Sequence, residues 1–187
     1  YNVAIAELTG LFLMQKAVEE QTNLNDFDGE TVLKMIRYSA KMTAHMCRGQ
    51  VMDLESRGKS LTIQELNQIS FYKTGIGFEA ALIMPAILAQ VNEVEIQALK
   101  KYARHAGIAF QIKDDILDVE GKEANLGKPL YQDLENQQST FVSILGIDEA
   151  KKVMWDHYCH AIEALQEIPR DVAFLKCLLN VIVNRNY

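Results

Sequence analysis

The sequence predicts an all-α protein built from long helices. No stretch alternates apolar and polar residues over strand length. Apolar residues recur at three- and four-residue steps along most of the chain, and the three prolines and ten glycines fall mostly at joints. Residues 3–21 carry Ile5, Leu8, Phe12, Met14 and Val18 on one apolar stripe, the mark of a helix with a buried face. Asn23 to Gly29 is a polar joint. Residues 30–57 form a second helix with Val32, Ile36, Ala40, Met46 and Val51 turned inward. Arg57-Gly58-Lys59-Ser60 stops it, and Thr62 with Glu65 three residues on is a capping-box signature for the next helix.

That third helix runs over residues 63–90, with Gly75 and Gly77 allowing close backbone approach and Pro85 kinking or breaking it. The fourth covers 92–118 and ends in the most informative stretch of the chain, GIAFQIKDDILD. Residues 119–131 are a loop, long for a connector and so a candidate lid. Short helices over 132–137 and 139–146 follow. Helices over 148–167 and 171–183, parted by Ile168-Pro169, close the chain. The loops are too short to mark a second domain, so residues 1–187 form a single domain whose site is built from inward-facing side chains.

Composition narrows the function. With 19 Lys+Arg against 25 Asp+Glu the chain carries −6, which argues against nucleic acid as a partner but not against a small phosphorylated molecule. Cys47, Cys159 and Cys177 are odd in number and lack ligand spacing, as reduced thiols of a cytoplasmic protein do. No apolar run reaches the length of a membrane span, and no signal-peptide pattern opens the chain. Tyr1 enters a helical pattern directly, so the chain is expected to begin partway through a longer protein.

Asp114 and Asp118 lie four apart and share a helix face, with Asp115 at its shoulder and Gln111 one turn earlier. Carboxylates held together among Phe110, Ile112, Ile116 and Leu117 repel one another, and a hard divalent cation relieves that. Mg²⁺ takes oxygen ligands, keeps several waters and sits on one or two carboxylates plus substrate phosphates. Lys73, between Tyr72 and Thr74 in an apolar run, and Lys128, beside Gly127 and Pro129 in the long loop with Lys122, supply cations opposite the acids. A metal on carboxylates facing two ammonium groups suits a diphosphate. Gln50 and Asp53 share a face and serve either the site or an interhelical polar contact. His157 and His160 are three apart but have no third ligand nearby and read as packing or surface residues; His45 and His105 receive no role.

Five ordered motifs carry a resemblance. Gly49-Gln50-x-x-Asp53-Leu54, Lys73-Thr74-Gly75, the stretch from Phe110 to Asp118, Leu126-Gly127-Lys128-Pro129 with Asp133, and Ser139-Thr140-Phe141-Val142 resemble the GQxxDL, KTG, FQxxDDxLD, GKxxxxD and STY segments of the trans-isoprenyl diphosphate synthases (polyprenyl synthetases). Ile182-Val183-x-Arg185 is similar to that family's C-terminus. The resemblance implies a helical bundle around a central cavity, with its N-terminal helices missing here. It also implies a Mg²⁺-dependent condensation of an allylic diphosphate with isopentenyl diphosphate, usually by a homodimer. It assigns Asp114, supported by Asp115 and Asp118, to Mg²⁺ and Lys73 and Lys128 to the allylic diphosphate. Thr74 and Gln111 fall near the reacting tail, and Phe110 against isopentenyl diphosphate; Gln50 and Asp53 join the substrate-binding set.

Three departures accompany it: the first aspartate-rich motif is absent, Gly10 is followed by Leu11 where the family has Gly-Asp, and Gln138 replaces a lysine. The alternative they raise is an inactive paralogue that structures or regulates an active partner. Otherwise the chain is a fragment of a prenyltransferase, itself inactive alone.

Overall fold

A computed structural model describes residues 2–124 and 139–186, with side chains through Gly121 and from Ser139. Every regular element among the described residues is helical. Helix α1 spans Val3–Thr22, α2 Gly29–Glu55, α3 Ile63–Ser70, α4 Ile76–Leu88 and α5 Glu93–Ala124. Helix α6 spans Phe141–Leu145, α7 Ile147–Ala164 and α8 Ala173–Asn184. A single π-helical turn, Phe71–Gly75, joins α3 to α4, and a 3₁₀ turn, Leu165–Glu167, ends α7.

The starts are capped as the sequence dictates. Asn2 and Asp28 accept from the backbone N–H groups of Ile5 and Thr31. Thr62 and Glu65 close a complete capping box, and Asn92 accepts from Glu95. Helix α5, 32 residues and about 48 Å long, is the axis of the molecule. Its Ala98, Tyr102 and Ala106 pack with Ala161, Leu165 and Leu179. One level higher, Ile108, Ile112 and Ile116 pack with Phe141, Met154 and Val183. Helices α4 and α2 cover the other flank, where Met35, Ile83, Ile87 and Ile96 form a third cluster.

Two close backbone approaches fix how α2, α4 and α5 meet. A Cβ on Gly49 would lie 2.4 Å from the carbonyl carbon of Tyr72, and one on Gly107 2.5 Å from the Cα of Gly75. Gly77, expected to share this task, has open space around it; the contact belongs to Gly75 and Gly107. Gly107→Ala is therefore expected to lose about 1–3 kcal/mol, because backbone cannot yield as a side chain does. Gly77→Ala should be neutral or gain up to about 1 kcal/mol from helix propensity. Urea unfolding of the two variants checks both.

Several expectations from the sequence are corrected. The stripe of α1 is not buried: Ile5, Leu8, Phe12, Met14 and Val18 are all exposed, since among the described elements α1 leans on α2 alone. On α2 the inward residues are Met35, Met42 and Gly49, seven apart; Ala40, Met46 and Val51 face out. Pro85 neither breaks nor ends α4, which continues to Leu88. Helix α5 extends to Ala124, so the expected loop at 119–124 is helical, and Gly121 meets no obstacle. The rest of that loop, with Lys128, Asp133, Gln138 and the helix expected over 132–137, lies outside the described residues.

The continuous helical run Ile63–Leu88 does reach membrane-spanning length and composition, contrary to expectation. Part of it packs against α2 and α5, with Ile76, Ile83 and Ile87 buried there.

Candidate functional site

Helix α3 with the π turn, the Gln111–Asp118 stretch of α5, Ser139 and Thr140 just ahead of α6, and the end of α2 enclose a cleft of about 430 Å³. Asp53, Lys73, Gln111, Asp114, Asp115 and Asp118 line it together. Leu66, Ile69, Ser70 and Lys73, on one face of the α3–π segment, form a wall. The ammonium of Lys73 lies 3.1 Å from Asp53 Oδ2. Thr74 Oγ1 donates to Gln111 Oε1 at 3.3 Å, and Gln111 Nε2 donates to Asp115 Oδ1 at 3.0 Å. The π turn carrying Lys73 and Thr74 is thereby tied to the acid helix through one amide. Such turns are frequently found at functional sites.

The three aspartates have different surroundings. Asp115 is buried, and its Oδ2 accepts from the backbone N–H of Phe141 at 2.9 Å, capping the first turn of α6. Asp118 is exposed at the rim. Asp114 is half-buried between them and paired with Arg185. Burial pushes the Asp114 carboxyl up and the Asp118 charge pushes the same way, while the Arg185 guanidinium opposes both. Among the described residues no three metal-binding side chains converge on one point. Asp114 and Asp118 both face the cleft, and the Asp118 charge adds to the cost of ionising Asp114; the pair fits a hard cation held through one or two carboxylates and water.

Other candidates fall elsewhere. Gln50 is exposed and absent from the cleft lining; of its pair only Asp53 reaches the cleft. Phe110 also lies off the cleft, packed on Phe78 with ring centroids 5.6 Å apart and covered by the Arg185 guanidinium at 3.9 Å. Arg185 is the site residue that sequence reasoning valued only as part of a terminal pattern; its partner on α5 lies 71 positions away. His105, given no role, meets His157 with Nδ1 atoms 2.9 Å apart and stacks on His160 at 5.0 Å. The spacing of His157 and His160 marked two of the three histidines in this cluster.

A larger cavity, about 620 Å³, opens between the starts of α2 and α5 and the end of α4. There the Tyr38 hydroxyl donates to Glu79 at 2.5 Å, and burial raises the phenol well above its usual range. None of the carboxylate–lysine set lies in it.

A helical bundle with a lysine and several carboxylates on one internal cleft has the architecture of an isoprenyl synthase. The polyprenyl synthetase family model matches residues 1–174. A farnesyl diphosphate synthase of Micrococcus luteus is 35% identical over 188 residues, covering 100% of this chain and 64% of its own length. A geranylgeranyl diphosphate synthase of Cyanophora paradoxa is 34% identical over 190 residues, covering 100% and 63%. The solved geranylgeranyl pyrophosphate synthetase of Pyrococcus horikoshii superposes with a TM-score of 0.84 at 30% identity, over 98% of this chain and 68% of that one. The chain belongs to the polyprenyl synthetase family. It spans slightly less than two thirds of the length of the curated relatives it matches.

Proposed function

We propose that the protein carrying this chain is a prenyltransferase that condenses an allylic diphosphate with isopentenyl diphosphate, with Mg²⁺, to give a longer isoprenyl diphosphate. The observation that supports this most is the shared cleft: Lys73 on one wall, Asp114 and Asp118 on the other. Bound Mg²⁺ would supply positive charge to the departing diphosphate from Asp114 and Asp118. Lys73 contributes a fixed ammonium to the same oxygens and loses its tie to Asp53 as they arrive. Gln111 and Thr74, bonded to each other, present a polar seam beside the reacting end of the tail, and Leu66 and Ile69 exclude water from it. Asp115 holds this seam and the start of α6 in register. Lys128 would add a second ammonium.

Of the departures that raised an inactive subunit, Leu11 lies exposed on α1 and does not touch the cleft, which favours catalysis. Assay of the complete protein with labelled isopentenyl diphosphate and an allylic diphosphate tests the proposal. Elongation should require Mg²⁺ and cease with EDTA. No Mg²⁺-dependent product from any short allylic substrate would overturn it.

We also propose a cytoplasmic homodimer, with exposed apolar residues of α1 in its contact. Leu8, Leu11 and Phe12, all more than half exposed, would be covered there. Sedimentation of the complete protein at micromolar concentration tests this, and a monomer would refute it.

A further inference from the structure

Arg185 has no assigned task in the site, yet it bonds the acid helix at two points. Its backbone N–H closes α8 on Val181, which aims the side chain back across α5. There Nη2 donates both to the Phe110 carbonyl, at 3.1 Å, and to Asp114 Oδ1, and the guanidinium lies over the Phe110 ring. The side chain is 17% exposed against 40% for Asp114. The Nε of Arg185 is buried and has no acceptor among the described residues. A permanent structural arginine pair is usually bidentate, with the fork satisfied. Here one nitrogen does the bonding, on one carboxylate oxygen, and a second donor is left over. Arg185 therefore fills the place of a cation without making the best use of it.

We infer that Arg185 is a counter-ion latch on Asp114: it holds the carboxylate in place when no metal is bound, competes with the metal for it, and lets go when the cation arrives. Because Asp114 is a proposed metal ligand, the latch rests on the metal assignment made above. A guanidinium cannot lose its proton to make room, so a divalent cation on Asp114 meets a like charge until the side chain moves. Phe110 and its carbonyl keep the guanidinium close after it leaves the carboxylate, so release is a short excursion.

The test uses metal alone, without substrate. Mn²⁺, followed by its EPR signal, is titrated into the complete protein and into Arg185→Gln, Arg185→Lys and Asp114→Asn variants. A latch predicts about tenfold tighter binding in Arg185→Gln, equivalent to about 1.4 kcal/mol, and near wild-type binding in Arg185→Lys, which keeps the charge. A merely structural arginine predicts the reverse, since a loosened carboxylate binds less well. Unchanged or weaker binding in Arg185→Gln, with binding weakened in Asp114→Asn, overturns the latch alone. Undiminished binding in Asp114→Asn overturns the metal assignment beneath it.

Should Arg185→Gln fail to fold, the wild-type protein still decides. Trypsin cleavage of the Arg185–Asn186 bond, read by mass spectrometry, should accelerate severalfold on adding Mg²⁺, as the side chain leaves its seat. Unchanged or slower cleavage refutes the release.

Discussion

Lys73→Ala in the complete protein is expected to lower kcat for elongation by about 10²–10³-fold, the range found when one preorganised donor is removed from developing negative charge. The loss should fall on kcat more than on KM, because the ammonium matters most as the diphosphate departs with its full charge. Lys73→Arg should recover part of the rate, since it keeps the charge but not the compact ammonium that fits the π turn. Lys101→Ala is the matched control. That residue is also a helix-borne lysine paired with a carboxylate, 2.8 Å from Glu167, but it sits in α5 away from the cleft. Steady-state kinetics with folding checked by circular dichroism decides it. A Lys73→Ala enzyme within threefold of wild type would remove this side chain from the chemistry.

Lys73 also shows how much the sequence disclosed. Its place on a wall was legible from the apolar run Ile69, Phe71, Ile76 and Phe78 around it, though of these only Ile69 lines the cleft, where Leu66 and Ser70 join it on the same helix face. The turn itself was not legible. A π turn is fixed by what packs on it, here Gly49 on the backbone of Tyr72 and Gly107 on that of Gly75, and those glycines sit on other helices. The same limit separates Gln50 from Asp53. Periodicity put both on one side of α2 but could not say that the side toward the cleft ends at Asp53.

On α1 the apolar residues are spread around the helix rather than gathered on one face, with Leu11, Phe12, Leu13 and Met14 exposed in succession, so the expected buried stripe is not formed. The distinct tasks of the three aspartates needed their neighbours. The N–H of Phe141 makes Asp115 a cap, and burial together with Arg185 sets Asp114 apart from Asp118.

The second large effect concerns acid stability and the histidines between α5 and α7. Burial, foremost, depresses both His105 and His157 from 6.5 to about 4. The charges of His160 and Arg104 push both the same way, and His105 does so for His157. At pH 7 both rings are neutral in the folded and unfolded chain, so neither costs stability there. As pH falls through 6.5 the unfolded chain takes up protons that the folded one refuses, and the balance shifts toward unfolding until about pH 4. Allowing for the part of each ring that water reaches, the pair should remove about 3 kcal/mol over that interval. Most carboxylates titrate lower, so the upper half of the window, pH 6.5 to 5, reports the histidines.

Thermal melts should therefore show Tm falling steadily across that range in the wild-type protein. In a His105→Asn, His157→Asn double variant the fall should be markedly shallower, since the amides can bond each other without titrating. A wild-type Tm that is flat from pH 7 to 5 would mean that the cluster takes up protons without opening the α5–α7 contact. The burial described for His105 and His157 would then not govern their chemistry.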